Sequence, residues 1–144
     1  MKKTLLVFAM ALLLVGCNKK KEVKLIPAEN FNTEVEGKKV SLYTLHNGFL
    51  TMQVTNYCGR VVALWMPDHR DGFEDIVLGY DYIDKYLNNT GERYLGAVVG
   101  RCANRISNAT FTLDSIAYKL PNNDGENTLN GGLIGADKGV WDVT

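Results

Sequence analysis

Residues 38–68 read KKVSLYTLHNGFLTMQVTNYCGRVVALWMPD and contain three short apolar runs separated by turn sequences. The runs are Val40–Leu45, Phe49–Asn56 and Arg60–Met66. An Asn-Gly pair separates the first two runs, and both of its residues tolerate the positive φ that a tight hairpin turn requires. The stretch therefore predicts short antiparallel strands that follow one another in the chain.

The rest of the chain continues this pattern. The runs Thr110–Leu113 and Ile116–Leu120 predict a second hairpin through Asp114-Ser115, and EDIVLGY (74–80) reads as another brief strand. Apolar residues at helical spacing in 82–87 predict one or two helical turns. A further strand is expected to begin at Val140. We predict a mainly β, antiparallel fold.

Composition excludes several functions. Sixteen basic residues balance sixteen acidic ones, so no basic stripe indicates nucleic-acid binding. Neither CxxC nor HExxH is present, and no metal site is predicted. Cys58 and Cys102 are compatible with a disulfide or with two buried free thiols. His46 and His69 lie in turn-like contexts and are expected at the surface.

The N-terminus predicts export and lipidation rather than folded structure. Residues 1–16 combine a basic start with an apolar run too short for a comfortable membrane span, which is typical of a secretory signal. The following Cys17 stands where a bacterial lipobox places its lipidated cysteine. Residues 17–30 are expected to form a flexible tether, and residues 31–144 the folded part. We therefore expect a lipid-anchored protein of the bacterial cell envelope, on its periplasmic or surface side.

Two longer stretches carry a family resemblance. GAVVGRCANRISNATFTLDSIAYKLPNNDGENTLNGGLIGADKGVWDV (96–143) resembles the aldose 1-epimerases, or galactose mutarotases. The likeness extends back through VTNYCGRVVALWMPDHRDGFEDIVLGYDYIDKYLNN (54–89) and covers roughly 31–144. Its most specific elements are Gly-Arg-x-Ala-Asn-Arg-Ile, the hairpin that follows it, and Asn-x-Leu-x-Gly-Gly.

The resemblance implies the N-terminal part of a β-sandwich with an open sugar cleft. It also implies interconversion of the α and β anomers of free aldoses such as galactose and glucose, without a cofactor. In such an enzyme a carboxylate removes the anomeric hydroxyl proton and an imidazole protonates the ring oxygen, so that the ring opens. A Glu and a His suit these two roles near neutral pH.

The resemblance also assigns site residues. Asn104 and Arg105 match the family's Asn-Arg pair that borders the sugar, although the residues alone also fit a turn and a strand-end ion pair. Asn130 stands where the family has a histidine, so it is expected to help bind sugar without replacing an imidazole. It also fits the first position of an Asn-Gly-Gly turn. Cys58 replaces a family glycine, which is awkward if the position needs positive φ.

Family enzymes are considerably longer than this chain, and no residue here matches their general base or general acid. Part of a sandwich leaves some of its apolar faces uncovered. Apolar strands such as GRVVALWM (59–66) and YLGAVVG (94–100) are therefore expected to be exposed. We therefore expect the chain by itself to be inactive as a mutarotase. A non-catalytic sugar-binding surface lipoprotein and an inactive relic are the alternative interpretations.

Overall fold

The computed structural model describes residues 22–89 and 91–144, and its regular structure is predominantly antiparallel β. The strands are β1 (Thr33–Val35), β2 (Lys38–Val40), β3 (Leu42–His46), β4 (Thr51–Thr55), β5 (Arg60–Pro67), β6 (Phe73–Asp75), β7 (Arg105–Ile106), β8 (Thr110–Leu113), β9 (Ile116–Lys119) and β10 (Thr128–Leu129). A short helix, α1 (Ile83–Leu87), follows β6, and single 3-10 turns occupy Ala28–Phe31, Ser107–Ala109 and Ala136–Lys138. These elements confirm the predicted mainly β, antiparallel fold class and the helical turns.

The largest sheet has the strand order β3-β4-β5-β6, with antiparallel neighbours throughout. Asn47 closes the β3–β4 hairpin, because its Oδ1 accepts the backbone N–H groups of Phe49 (3.0 Å) and Leu50 (2.7 Å). The predicted Asn-Gly hairpin is therefore confirmed. Smaller two-stranded ladders join β1 to β2, β8 to β9, and β7 to β10.

One face of the large sheet is buried, which corrects the expectation that GRVVALWM lies exposed. In β5, Val62, Ala63 and Trp65 are 1%, 0% and 7% exposed. Val62 belongs to a core cluster with side chains from α1, from the segments around β1 and β2, from β3 and from the β4–β5 connection, namely Phe31, Val40, Leu42, Tyr57, Ile83 and Tyr86. The opposite face carries the cross-strand row Leu45–Met52–Leu64, in which no side chain is fully buried.

The segment before β1 is held against the sheet. The buried Gln53 side chain accepts the Ile26 N–H at 2.9 Å and donates to the Ile26 carbonyl at 3.0 Å, as a neighbouring strand would. A 3-10 turn over Ala28–Phe31 follows. The contacts of the fold thus begin about five residues before position 31, within the predicted tether of residues 17–30.

Three strand predictions were wrong in whole or in part. In 74–80 the strand ends at Asp75, whose Oδ1 accepts the N–H groups of Leu64 (2.9 Å) and Val77 (3.0 Å). Val140 forms only an isolated bridge to Tyr57, and residues 141–144 form no strand. Residues 94–100, predicted as an apolar strand, form turn and irregular backbone with alternating partial exposure.

The second predicted hairpin is confirmed as β8–β9. Phe111 pairs with Tyr118 and Leu113 with Ile116, which places all four side chains on one face of the hairpin. The Phe111 and Tyr118 rings stack at 5.1 Å between centroids. This hairpin leads from β7 toward the loop that ends at β10 and so connects the two strands of the candidate site.

Candidate functional site

The β7–β10 ladder brings together the three residues predicted to contact sugar. Leu129 pairs with Arg105, so Asn130 lies beside Asn104. The Asn130 N–H donates to the Asn104 carbonyl at 3.0 Å, and the Asn104 N–H donates to Asn130 Oδ1 at 2.7 Å. Residues separated by 26 positions in the sequence therefore form one hydrogen-bonded unit, while their role in sugar contact stays a prediction.

Asn130 is also a turn residue. Its φ is 49°, that of Gly131 is 90°, and the Gly132 N–H closes the turn on the Leu129 carbonyl at 3.0 Å. Asparagine is among the few non-glycine types that adopt this left-handed conformation readily. The turn interpretation of Asn130 is therefore confirmed, and its contact with sugar stays a prediction, since the described contacts of its Oδ1 are with Asn104. In the part of the chain that the structure describes, its Nδ2 has no hydrogen-bond acceptor.

Arg105 is oriented by two neighbours. Its Nη1 donates to Asn104 Oδ1 at 3.2 Å, and its Nε donates to Asp124 Oδ2 at 2.5 Å. The Arg105 side chain is 53% exposed and that of Asp124 is 34% exposed. The Nη2 edge of the guanidinium has no partner among the described residues and can donate to a ligand oxygen. Asp124 was not predicted as a site residue, because nothing local in PNNDGEN pairs it with Arg105.

The side chains of Asn123 and Thr128 form hydrogen bonds within the loop between β9 and β10 and at the start of β10. Asn123 Oδ1 accepts the Leu129 N–H at 2.7 Å, and its Nδ2 donates to the carbonyls of Leu129 (3.0 Å) and Gly132 (3.1 Å). Thr128 Oγ1 donates to the Pro121 carbonyl at 2.8 Å. These bonds fix the end of β10, and therefore the place at which Asn130 emerges from it.

A partly buried ion pair lies beside the turn, with the Arg93 side chain 26% exposed. The Arg93 guanidinium contacts both carboxylate oxygens of Asp137, and the Asp137 side chain is 2% exposed. The hydrogen bond with this carboxylate is the main cause that raises the pKa of Arg93. The sequence patterns singled out neither Asp137 nor Arg93.

Neither of the two described cysteines forms a disulfide, and they occupy different environments. Cys58 is buried and has a φ of 68°. The position therefore has the left-handed backbone conformation that is awkward for a residue with a side chain. Burial raises the pKa of its thiol. Cys102 is exposed, so the interpretation of two buried thiols is correct for Cys58 and wrong for Cys102. Both histidines are exposed, although His46 ends β3 rather than lying in the turn.

The described residues contain neither a metal-ligand cluster nor a helix able to span a membrane. Across residues 22–89 and 91–144, no three His, Cys, Asp or Glu side chains are grouped closely enough to hold a metal ion. Within the same residues no helix has the length and apolar character needed to cross a bilayer. Cys17 and the predicted signal of residues 1–16 lie outside the described residues.

Comparison with known proteins agrees with the sequence resemblance. Residues 41–144 match the family model for aldose 1-epimerase. The chain is 41% identical over 102 residues to a galactose mutarotase from Bos taurus, covering 71% of this chain and 29% of that protein. It is 37% identical over 109 residues to a probable aldose 1-epimerase from Arthroderma benhamiae, covering 73% and 25% respectively. The chain thus spans less than a third of either relative.

Solved structures show the same partial likeness. An aldose epimerase homologue from C. elegans matches with a TM-score of 0.66 and 33% identity, over 73% of this chain and 32% of that one. Galactose 1-epimerase from Lactobacillus acidophilus matches with a TM-score of 0.64 and 29% identity, over 76% and 31%. The family match covers well over half of the chain, and the fold agrees with it. The chain belongs to the aldose 1-epimerase family.

Proposed function

We propose that this chain forms part of the sugar cleft of an aldose 1-epimerase that interconverts the α and β anomers of free aldoses such as galactose and glucose. The observation that carries the proposal is the hydrogen-bonded unit of Asn104, Arg105 and Asn130. Within this unit the Arg105 Nη2 edge and the Asn130 Nδ2 remain available as donors. The proposal is also supported by the match to the aldose 1-epimerase family model and by the likeness to the two solved epimerase structures.

The chemistry of this unit suits a polyol ligand. Arg105 offers charge-assisted hydrogen bonds, which are about twice as strong as neutral ones. Asn130 offers an amide donor at an angle set by its turn. Together they would fix the orientation of hydroxyl or ring oxygens, while the proton transfers of ring opening belong to a carboxylate and an imidazole. Asn130 cannot serve as that imidazole, because a carboxamide does not titrate near neutral pH and so cannot deliver a proton to the ring oxygen.

Galactose titration of the chain, followed by calorimetry or by chemical shifts, tests this proposal. We expect saturable binding, and we expect Arg105→Ala to weaken the affinity at least tenfold, since a hydrogen bond to a charged group contributes about 1.5–3 kcal/mol. Arg70→Ala is the matched control, because Arg70 is an exposed arginine in the distant turn after β5. Equal losses in the two variants, or no saturable binding by the unmodified chain, would refute the proposal.

Polarimetry of fresh α-galactose is the second arm of the same test. The chain is expected to bind the sugar without accelerating mutarotation, since no residue here matches the family's base or acid. Acceleration in proportion to protein concentration would show that the chain supplies proton transfer itself. That outcome would overturn the restriction of its role to binding and orientation.

The proposal also includes a lipid anchor at Cys17, which places the protein on the bacterial cell envelope. Its support is the signal-like sequence of residues 1–16 followed by a cysteine. In a bacterial host, radiolabelled palmitate is expected to enter the protein and to be lost in Cys17→Ser. Cys102→Ser is the control that should retain the label. Label that persists in Cys17→Ser would exclude this anchor.

A further inference from the structure

The Arg93–Asp137 ion pair reaches the turn that carries Asn130. Arg93 Nε donates to Asp137 Oδ2 at 2.5 Å, and Nη2 donates to Oδ1 at 2.9 Å. The same Nη2 lies 3.3 Å from the Leu133 carbonyl and 3.4 Å from that of Gly132. One guanidinium therefore links a buried carboxylate to the two residues that follow the Asn130-Gly131 step.

The loop from Asn130 to Asp137 is folded tightly onto itself. A Cβ placed on Gly135 would lie 2.7 Å from the Asn130 carbonyl oxygen and 2.7 Å from Asp137 Oδ1. The beginning and end of the loop thus touch through a glycine, with no side chain between them. Gly135 thus lies against both the Asn130 carbonyl and the Asp137 carboxylate.

Arg60, which is buried at the start of β5, holds the main chain of both ion-pair residues. Arg60 Nη1 donates to the Arg93 carbonyl at 3.2 Å, and Nη2 donates to the Asp137 carbonyl at 3.3 Å. The backbones of both partners are therefore anchored to the large sheet. The pair has a defined position relative to the sheet, and the Asn130 turn has a defined position relative to the pair.

A contribution to the stability of the fold does not by itself explain why an ion pair, and not an apolar pair, occupies positions 93 and 137. The desolvation of a buried ion pair offsets most of its Coulombic attraction, so an apolar pair often contributes as much stability. What the pair supplies, and an apolar pair would not, is the set of directed bonds from Arg93 to the two carbonyls of the turn. Those bonds hold the residues that follow Asn130, while the Asn123 bonds hold the end of β10 that precedes it.

We propose that Arg93 and Asp137 are positioning residues that hold the Asn130 side chain at the sugar cleft, an inference that rests on the proposed function. Neither residue contacts the ligand in this scheme. Arg93 acts through Gly132 and Leu133, and Asp137 acts by orienting Arg93.

Amide hydrogen exchange of the folded chain tests the positioning without a ligand. The N–H groups of Asn104 and Asn130 bond across the site, so their exchange rates report whether the turn is in place. Asp137→Asn is expected to raise both rates about tenfold while the β4–β5 amides keep theirs. Arg93→Lys should give a smaller rise, because lysine retains the charge but loses the fork of donors. Lys38→Ala, which breaks the exposed Lys38–Asp142 pair, is the control and should change neither amide.

Galactose affinity is the second readout. Asp137→Asn is expected to weaken it about threefold to tenfold, measured well below the midpoint of unfolding, with Arg93→Lys in between. Unchanged exchange at Asn104 and Asn130 in both variants would overturn the inference. Faster exchange throughout β4 and β5 in both variants would also overturn it, because the pair would then support the whole fold. If the unmodified chain binds no galactose, the proposed function fails, and the exchange rates still decide the positioning.

Discussion

Gly96→Ala is expected to destabilise the folded chain by about 3–5 kcal/mol, a large fraction of the stability of an ordinary domain. A Cβ at this position would lie 1.9 Å from the Val61 carbonyl oxygen and 3.0 Å from the carbonyl carbon. Both atoms belong to β5, so no side-chain rotation can relieve the contact. Moving the two backbones apart would also break the hydrogen bond from the Val61 N–H to the Gly96 carbonyl, which measures 3.0 Å.

The left-handed backbone and the clash at Gly96 can be separated experimentally. Gly96 has a φ of 63° and Gly125 a φ of 59°, but a Cβ on Gly125 would meet no atom within 4 Å. Gly125→Ala therefore measures the conformational cost alone, about 1–2 kcal/mol. Urea unfolding followed by circular dichroism should give Gly96→Ala a loss at least twice that of Gly125→Ala. Equal losses would show that residues 94–100 do not lie against β5 as described.

Local sequence patterns predicted the hairpins of the fold but not the contact that Gly96 makes with β5. The β3–β4 hairpin was predictable because Asn47-Gly48 is a local turn signal, and the β8–β9 hairpin because Asp114-Ser115 separates two alternating runs. Residues 94–100 looked like an apolar strand, whereas the chain bends there and touches β5 through a glycine backbone. Such a contact depends on the approach of two distant segments, which no local propensity encodes.

The candidate site also contains residues that sequence motifs identified and residues that they missed. Asn104, Arg105 and Asn130 were identified because they stand in short family motifs, and the β7–β10 ladder does bring them together. Asp124 and Asp137 were missed, since each is an acid in a turn-like sequence and its arginine partner lies 19 or 44 positions away. Aspartate in a turn is common for local reasons, so composition could not distinguish these two from a solvated residue.

Arg60 departs furthest from compositional expectation, because arginine is rarely buried without a paired acid. It is 1% exposed, and none of the carboxylates in the described residues forms an ion pair with it. Its guanidinium lies 4.7 Å from the centroid of the Tyr86 ring and donates to three backbone carbonyls. The Nε atom has no acceptor within the described part of the chain. Carbonyl dipoles and an aromatic face thus compensate its charge.

Arg60→Met is expected to lower the free energy of unfolding by about 3–5 kcal/mol. Methionine matches the length of the aliphatic stem and tolerates the apolar surroundings. It nevertheless leaves the carbonyls of Arg93, Leu95 and Asp137 without their donor, and each buried unsatisfied group costs about 1–3 kcal/mol. Arg60→Lys should lose less, because an ammonium group can satisfy one or two of the three.

The competing expectation is that removing a buried charge is harmless. Replacing a buried ionic network by apolar residues is often neutral when every member is replaced. Here the acceptors are main-chain carbonyls that no substitution at position 60 removes, so the desolvated acceptors remain and the loss should be large. Urea midpoints of the unmodified chain, Arg60→Lys and Arg60→Met should therefore fall in that order. If Arg60→Met is as stable as the unmodified chain, the three carbonyls find water or new donors, and Arg60 does not anchor the segments that carry Arg93, Leu95 and Asp137.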